Sequence, residues 1–114
     1  MNLKVCRREL ALDLTSRSTC TVRMAAVLSD RSGRIFSYGW NSVWDGWGLH
    51  AEEHAIRRAN PRRLEGSRIT IAGRRRGLVR SFPCLDRCLP RLIRMGIQKI
   101  EWLDKDGTWQ EWDL

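Results

Sequence analysis

The sequence lacks the long hydrophobic segments of an α-helical membrane protein. Among its 114 residues, no apolar run reaches the ~18 residues needed to span a bilayer, so no membrane partner is expected. The N-terminal residues 1–8 contain no apolar signal segment, which predicts a cytoplasmic protein. Internal repeats, low-complexity segments and long linkers are absent too. Residues 1–114 are therefore expected to form a single domain.

Cysteine is scarce: the chain contains four. In a reducing compartment, a set this small indicates metal ligands or free thiols rather than disulfides. Cys6 and Cys20 have no partner pattern, and we expect them to be core thiols.

Acidic residues are scarce in the middle of the chain. Residues 57–94 contain twelve arginines and two acids, a net charge of +10, whereas the segments before and after carry +1 and −3. The arginine fork matches phosphate oxygens, so the block predicts a phosphate-bearing partner, either a nucleotide or a nucleic acid. The alternative is a solvated surface that keeps the protein soluble.

The hydrophobic pattern predicts an α/β protein with the order helix, two strands, helix, strand, helix, two strands. The expected helices cover residues 6–14, residues 50–60 and a segment that ends near Met95 with Gly96 as its cap. The expected strands cover residues 24–28, 34–40, 68–72, 97–103 and 108–112. Residues 41–49 are expected to form a loop and residues 73–77 a turn. A turn at 104–107 should make the last strand antiparallel to its neighbour.

The most informative pattern is His50-Ala51-Glu52, followed by Pro83-Cys84 and then Cys88. Hydrolytic zinc sites use three protein ligands and keep one position for water. The zinc-dependent base deaminases carry this pattern as H-x-E…P-C-x-x-C, and the chain resembles that superfamily of cytidine and deoxycytidylate deaminases. It departs from the pattern because three residues, not two, separate the cysteines.

Two further segments carry the resemblance, which extends from about Val22 to Trp102. Gly39-Trp40-Asn41 matches a Gly-aromatic-Asn element of these enzymes, and residues 95–100 match their Gly-Ile-x-Lys stretch. The resemblance implies a three-layer cytidine-deaminase-like fold, with a central mixed five-stranded sheet and flanking helices. It also implies a Zn²⁺ cofactor held by His50, Cys84 and Cys88, with Glu52 moving protons as the catalytic residue.

The wider cysteine spacing leaves two arrangements open. Pro90 is tolerated in the first turn of a helix but is costly in its interior. The regular helix therefore begins near Cys88 to Pro90, with Cys84 in the preceding loop, or it begins at Cys84 and is kinked at Pro90. Either arrangement can place both sulfurs ~2.3 Å from one zinc ion.

A structural zinc site is the rival interpretation of the same residues. His54 lies four residues after His50, on the same helical face, and could complete a closed site with four ligands. The protein would then be a zinc-stabilised nucleic-acid-binding module without catalysis. Alternatively, His54 lies on the helix surface, or it contacts the ligand residues without binding the metal.

The resemblance also implies a substrate pocket. Asn41 would contact the sugar, and the Ala51 N–H and the Ser81 backbone would contact the base. Phe82, beside Pro83, could lean on the base, with packing as an equal alternative. Aromatic faces stack bases, so Trp44 and Trp47 are candidates, with core packing as the alternative. A turn formed by Arg74, Arg75 and Arg76 could hold phosphate, and the alternative is a turn that is only solvated.

The expected reaction is hydrolytic deamination of cytosine to uracil. The arginine block and the tryptophan-rich loop favour cytosine in single-stranded nucleic acid, DNA rather than RNA. The Gly-Trp-Asn element and the short chain favour a free nucleotide or nucleoside such as dCMP or cytidine. An antiparallel last strand counts against kinship with tRNA adenosine deaminases. Related deaminases often assemble, so the resemblance allows a homo-oligomer.

Overall fold

Five strands form the central sheet of this computed structural model, which describes residues 2–44 and 47–114 without the side chains of Trp44 and Trp47. The helices are α1 (Leu3–Leu14), α2 (Ala51–Arg58) and α3 (Cys88–Arg94). The strands are β1 (Arg23–Ser29), β2 (Ile35–Trp40), β3 (Ser42–Trp44), β4 (Trp47–Leu49), β5 (Arg68–Arg74), β6 (Lys99–Leu103) and β7 (Trp109–Asp113). Short 3-10 turns follow α1 at Thr15–Arg17 and α2 at Pro61–Arg63.

The sheet has the order β2-β1-β5-β6-β7. Strands β5 and β6 run parallel, and every other neighbouring pair runs antiparallel. The parallel pair requires a crossover connection, which α3 provides. The prediction of a mixed five-stranded sheet with an antiparallel last strand is therefore confirmed.

The sheet is covered on both faces, which makes three layers. Alternate residues of β1 point to opposite sides: Ala25 and Val27 pack on the α1 side, while Ala26 and Leu28 pack on the α2 and α3 side. The larger cluster lies beneath α2 and α3 and includes Ile56, Ile69, Ile71, Leu92 and Ile100. This larger core holds both α2 and α3, the helices at which the candidate metal ligands lie, against the same face of the sheet.

Gly39 permits the close approach of α2 to β2. A Cβ atom at this position would lie 2.5 Å from the Ala55 nitrogen and 2.8 Å from the His54 Cβ. No other side chain fits there without displacing the helix. The glycine of the Gly-Trp-Asn element thus has a packing role.

Several boundaries differ from the sequence prediction; helix α1, for example, begins at Leu3 rather than at Cys6. The predicted loop at residues 41–49 contains two short strands, β3 and β4, which pair antiparallel. Strand β5 continues to Arg74, into the predicted turn. Strand β6 begins at Lys99 rather than at Ile97, because the Ile97 N–H donates to the Leu92 carbonyl at the end of α3.

The predicted cap at Gly96 is confirmed. Gly96 has a φ of +79°, and its N–H donates to the Ile93 carbonyl. Together with the bond from Ile97 to Leu92, this forms a Schellman motif.

Among the described residues, no helix is both long and apolar enough to cross a bilayer.

Candidate active site

Three of the predicted ligands meet at the beginnings of two helices. His50 immediately precedes α2, Cys88 is the first residue of α3, and Cys84 lies in the loop before it. The Nδ1 atom of His50 lies 3.0 Å from the Cys88 Sγ and 3.7 Å from the Cys84 Sγ. The three ligand atoms all lie within 4.8 Å of one another.

This donor set fits a zinc ion. Tetrahedral zinc with ordinary bond lengths separates a sulfur and a nitrogen ligand by about 3.6 Å. The distance from His50 to Cys84 matches this value, and the distance to Cys88 is shorter. Burial, and then the neighbouring Glu52 carboxylate, raise the pKa of the Cys88 thiol. A thiolate at this position therefore needs a cation to stabilise it, which a metal ion supplies.

His54 does not join the cluster. Its Nδ1 lies 3.1 Å from the Trp40 backbone nitrogen and 3.2 Å from the Trp40 oxygen, and its ring meets the Trp40 ring edge-on. Burial lowers the pKa of its imidazole. Among residues 2–44 and 47–114, the ligand cluster contains His50, Cys84 and Cys88 alone, which contradicts the four-ligand alternative.

The cysteine loop adopts the first of the two predicted arrangements. Helix α3 begins at Cys88, and Pro90 is its third residue, where no backbone N–H is needed. The Leu89 N–H donates to the Cys84 carbonyl at 2.9 Å, and the Cys88 N–H donates to the Cys84 sulfur at 3.1 Å. The extra residue is thus absorbed in a wide turn that keeps both sulfurs together.

A small cavity of about 200 Å³ adjoins the ligands. Its lining comprises Met24, Asn41, His50, Ala51, Glu52, Phe82 and Cys84. Glu52 is buried, with 5% of its surface exposed, so its carboxylate faces the cavity rather than bulk solvent. Pockets for drug-sized ligands occupy ~300–1,000 Å³, so this one suits a single base better than a whole enclosed nucleotide.

Asn41 lines the cavity, but its amide is largely engaged with the protein. Its oxygen accepts hydrogen bonds from the Ser18 hydroxyl at 2.6 Å and the Met24 N–H at 2.9 Å. Its Nδ2 donates to the Val22 carbonyl at 2.8 Å. An amide has two N–H groups, so one remains for a ligand among the described contacts. The side chain is therefore rigidly held.

The other predicted pocket residues divide into several groups. The first turn of a helix leaves its N–H groups without intrahelical partners, and Ala51 provides one at the cavity wall. Phe82 reaches the cavity and packs edge-on against Trp102. Ser81 and Pro83 are buried beside it, and the Ser81 hydroxyl and N–H both bond to backbone carbonyls. The side chains of Trp44 and Trp47 lie outside the described residues.

The arginine block does not form one continuous patch. Five of its arginines pair with acids, namely Arg63, Arg68, Arg80, Arg87 and Arg91. Arg74, Arg75 and Arg76 are exposed, and no ion pair involves them among the described residues. They line an open hollow of about 1010 Å³ together with Arg23, which pairs with Arg74 across β1 and β5.

The hollow and the small cavity lie at the same end of the sheet but on opposite faces. Arg23 lines the hollow, and the next residue of β1, Met24, lines the cavity. Successive strand residues point to opposite faces, so the sheet separates the two sites. The three arginines therefore do not enter the cavity beside the ligands.

Two residues at the site, Glu53 and Arg87, were not predicted from the sequence. Glu53 accepts a hydrogen bond from the His50 backbone N–H at 3.0 Å and also binds Arg87. Although burial alone would raise the pKa of Glu53, the bonds from His50 and Arg87 hold it below its usual value. The three-residue spacing from His50 to Glu53 resembles a capping box, a signal that was available.

The comparisons with known proteins agree with this geometry. The family model described as "Cytidine and deoxycytidylate deaminase zinc-binding region" matches residues 4–103. The chain therefore belongs to the cytidine and deoxycytidylate deaminase family, whose members are zinc-dependent hydrolases. No curated protein matches the chain.

Solved structures share the fold at low sequence identity. A dCMP deaminase from the cyanophage S-TIM5 has a TM-score of 0.70 at 21% identity, covering 91% of this chain and 86% of its own. A cytidine deaminase from Burkholderia pseudomallei has a TM-score of 0.75 at 18% identity, covering 99% and 93%. Family membership supports hydrolytic deamination of cytosine nucleosides or nucleotides, and it confirms the expected class of enzyme and the zinc cofactor.

Proposed function

We propose that the protein deaminates cytosine to uracil in single-stranded nucleic acid, DNA rather than RNA. In this proposal His50, Cys84 and Cys88 hold zinc, and Glu52 is the catalytic acid and base. One observation carries the proposed deamination: the buried Glu52 shares a single small cavity with His50 and Cys84.

The chemistry requires a proton carrier next to the attacking water. Zinc, when bound, supplies a Lewis acid that lowers the pKa of water to about 7. Glu52 accepts a proton from the water whose oxygen bonds to C4, and it delivers that proton to the ring nitrogen of cytosine. It then transfers the remaining hydroxyl proton to the 4-amino group, which leaves as ammonia when the C4–N bond breaks. Water and cytosine are consumed, and uracil and ammonia are released.

The cavity walls are suited to orienting one base. The Ala51 N–H can donate to an exocyclic oxygen, and the Phe82 ring offers an apolar face. The remaining N–H of Asn41 can reach a sugar hydroxyl, since the rest of its amide is fixed by the protein. Trp44 and Trp47, in the adjoining hairpin, are proposed to stack on neighbouring bases.

The preference for a polynucleotide rests on the arginines of the hollow. Arg74, Arg75 and Arg76, with Arg23, concentrate four positive charges on the face of the sheet opposite the cavity. The sheet lies between these side chains and the cavity, so they suit the phosphates of neighbouring nucleotides better than the target's own phosphate. A nucleic-acid strand that passes around the end of the β-sheet would contact both the cavity and the hollow.

The test is a deamination assay with parallel substrates. Zinc-loaded protein is incubated with dCMP, cytidine and matched DNA and RNA oligonucleotides that contain one cytosine, with Glu52→Gln as the inactive control. We expect uracil to form fastest in the DNA oligonucleotide. Wild-type protein that binds one equivalent of zinc but deaminates none of the substrates would contradict the proposal and favour a non-catalytic zinc module.

The role of the hollow has its own control. The triple variant Arg74→Gln, Arg75→Gln, Arg76→Gln is compared with a triple variant that removes the same charge at exposed arginines elsewhere, Arg57, Arg62 and Arg94. Each lost phosphate contact should reduce the slope of log K against log salt by about 0.7 for a single strand. Equal losses in the two variants would contradict a specific role for the hollow.

The second candidate is deamination of a free nucleotide or nucleoside. The family description and the similarity to proteins named as dCMP and cytidine deaminases favour it. Product from dCMP or cytidine, with none from either oligonucleotide, would establish this alternative. The hollow would then have no role in the reaction.

A further inference from the structure

Arg87 connects three segments around the metal ligands. Its Nη2 donates to the Glu53 Oε1 at 2.7 Å and its Nε to the Glu53 Oε2 at 3.2 Å, an arrangement of the bidentate type. The same Nη2 donates to the Gly48 carbonyl at 2.8 Å. One guanidinium therefore joins the cysteine loop to α2 and to strand β4.

Glu53 relays this contact to a ligand. Its Oε1 also accepts the His50 backbone N–H at 3.0 Å, so one carboxylate oxygen bonds both His50 and Arg87. The Glu53 side chain is 7% exposed, which places the pair at the edge of a low-dielectric region. Charge-assisted bonds of this kind are about twice as strong as neutral ones.

The position of Arg87 in the chain gives the contact its significance. Arg87 directly precedes the ligand Cys88 and lies within the wide turn between the two cysteines. A longer turn has more backbone freedom, which costs entropy when the sulfurs are brought together. The bonds from Arg87 to Glu53 and Gly48 restrict the turn, and they therefore reduce this entropy cost.

We propose that Arg87, acting through Glu53, is a positioning residue that keeps the sulfurs of the three-residue cysteine spacing in register with His50 for metal binding. The inference rests on the metal site of the proposed function. Substitution of a residue that hydrogen-bonds to a metal ligand typically lowers metal affinity or activity about 10–100-fold. The fork of Arg87 and its two partners constrain the ligands in this way.

The test measures zinc affinity directly, by competition with a chromogenic chelator. Arg87→Met removes the fork while keeping an unbranched side chain, and we expect zinc affinity to fall about 10–100-fold. Arg94→Met, at an exposed arginine of α3, is the matched control and should bind zinc like the wild type. Thermal unfolding of the zinc-free variants separates metal affinity from general stability.

Two further variants test whether Arg87 acts through Glu53. Glu53→Gln should weaken zinc binding to a similar extent, and the double variant Glu53→Gln, Arg87→Met should lose little more than either single change. Arg87→Lys keeps the charge but lacks the fork, so it should restore affinity only in part. At saturating zinc, Arg87→Met should lower kcat more than it raises KM.

Several outcomes would overturn the inference. The inference fails if Arg87→Met binds zinc within twofold of the wild type, or if Arg94→Met loses as much affinity. It also fails if Arg87→Lys binds zinc as tightly as the wild type, or if the losses of the two single changes add in the double variant. A change confined to KM would show that Arg87 contacts substrate instead. If wild-type protein itself failed to bind zinc, the proposed function would fail rather than the role of Arg87 alone.

Discussion

The Arg7 Nε donates to the Glu101 Oε1 at 2.7 Å, although the two residues are 94 positions apart and both are buried. Arg8 donates to the other carboxylate oxygen at 2.8 Å, and the Thr70 hydroxyl donates to Oε1 at 2.9 Å. The carboxylate thus joins α1 to strands β5 and β6. A buried charge is tolerated here because every side of the carboxylate has a donor.

This cluster predicts acid sensitivity. Burial alone would raise the pKa of Glu101, but the bonds from Arg7, Arg8 and Thr70 hold it below its usual value. A carboxylate with a lowered folded-state pKa stabilises the protein above its unfolded pKa, about 4.3, and loses that contribution as pH falls through the folded value. We expect the unfolding temperature of the wild type to drop steeply below about pH 4.3.

Glu101→Gln is the control for that titration. It should lower the free energy of unfolding at neutral pH by about 3–5 kcal/mol, because it leaves the buried Arg7 charge uncompensated. Its unfolding temperature should also depend less on pH in the acid range. Parallel pH profiles for the two proteins, measured by thermal denaturation, would contradict this role of Glu101.

The second prediction concerns Glu52. Replacing it with glutamine removes the proton carrier from the cavity and keeps nearly the same volume, so turnover should fall by about 10²–10⁴-fold or more. Zinc content, measured by atomic absorption, should remain at the wild-type level, because Glu52 lies outside the ligand cluster. Retention of full activity by this variant would rule out Glu52 as the catalytic acid and base.

The third prediction concerns metal removal. A bound ion that selects the folded state stabilises it by about 2.7 kcal/mol when its concentration is 100 times its dissociation constant. Chelation should therefore lower the unfolding temperature, and Cys84→Ser should abolish that response. Cys20→Ser, at a half-buried thiol outside the ligand cluster, should respond to chelator like the wild type.

The fourth prediction concerns the contact between β2 and α2. Gly39→Ala would place a methyl group 2.5 Å from the Ala55 nitrogen, so it should reduce the free energy of unfolding by about 1–3 kcal/mol. Gly77→Ala is the matched control, because a Cβ there meets no atom within 4 Å. Chemical denaturation measures both, and equal effects would contradict the steric explanation.

Local patterns accounted for most of the fold. The strand at residues 24–28, the helix after His50 and the cap at Gly96 could be predicted, because alternation, helical spacing and glycine at a positive φ act over a few residues. The β3–β4 hairpin was missed, since a loop rich in Trp and Gly has no alternating pattern. Strand β6 starts late because the helix cap uses the Ile97 N–H.

The wider cysteine spacing shows where local reasoning stopped. From the sequence, Pro90 allowed a helix that began near Cys88 or one that was kinked after Cys84. The structure selects the first, with the Leu89 N–H bonded to the Cys84 carbonyl. The choice depends on where the packing of α2 against β1 and β2 places His50, which no short segment encodes.

The sequence by itself determined the class of enzyme and the kind of metal site, because His50-Ala51-Glu52 and the later pair Cys84 and Cys88 are short local patterns with the residue types of a hydrolytic zinc site. Only the tertiary structure decided which arginines are free. Charge counting predicted one block of +10, but Arg63 pairs with Asp30 and Arg87 with Glu53, partners 33 and 34 residues away. Ion pairs form between residues that folding brings together, so composition states the charge of a segment without stating where that charge is neutralised.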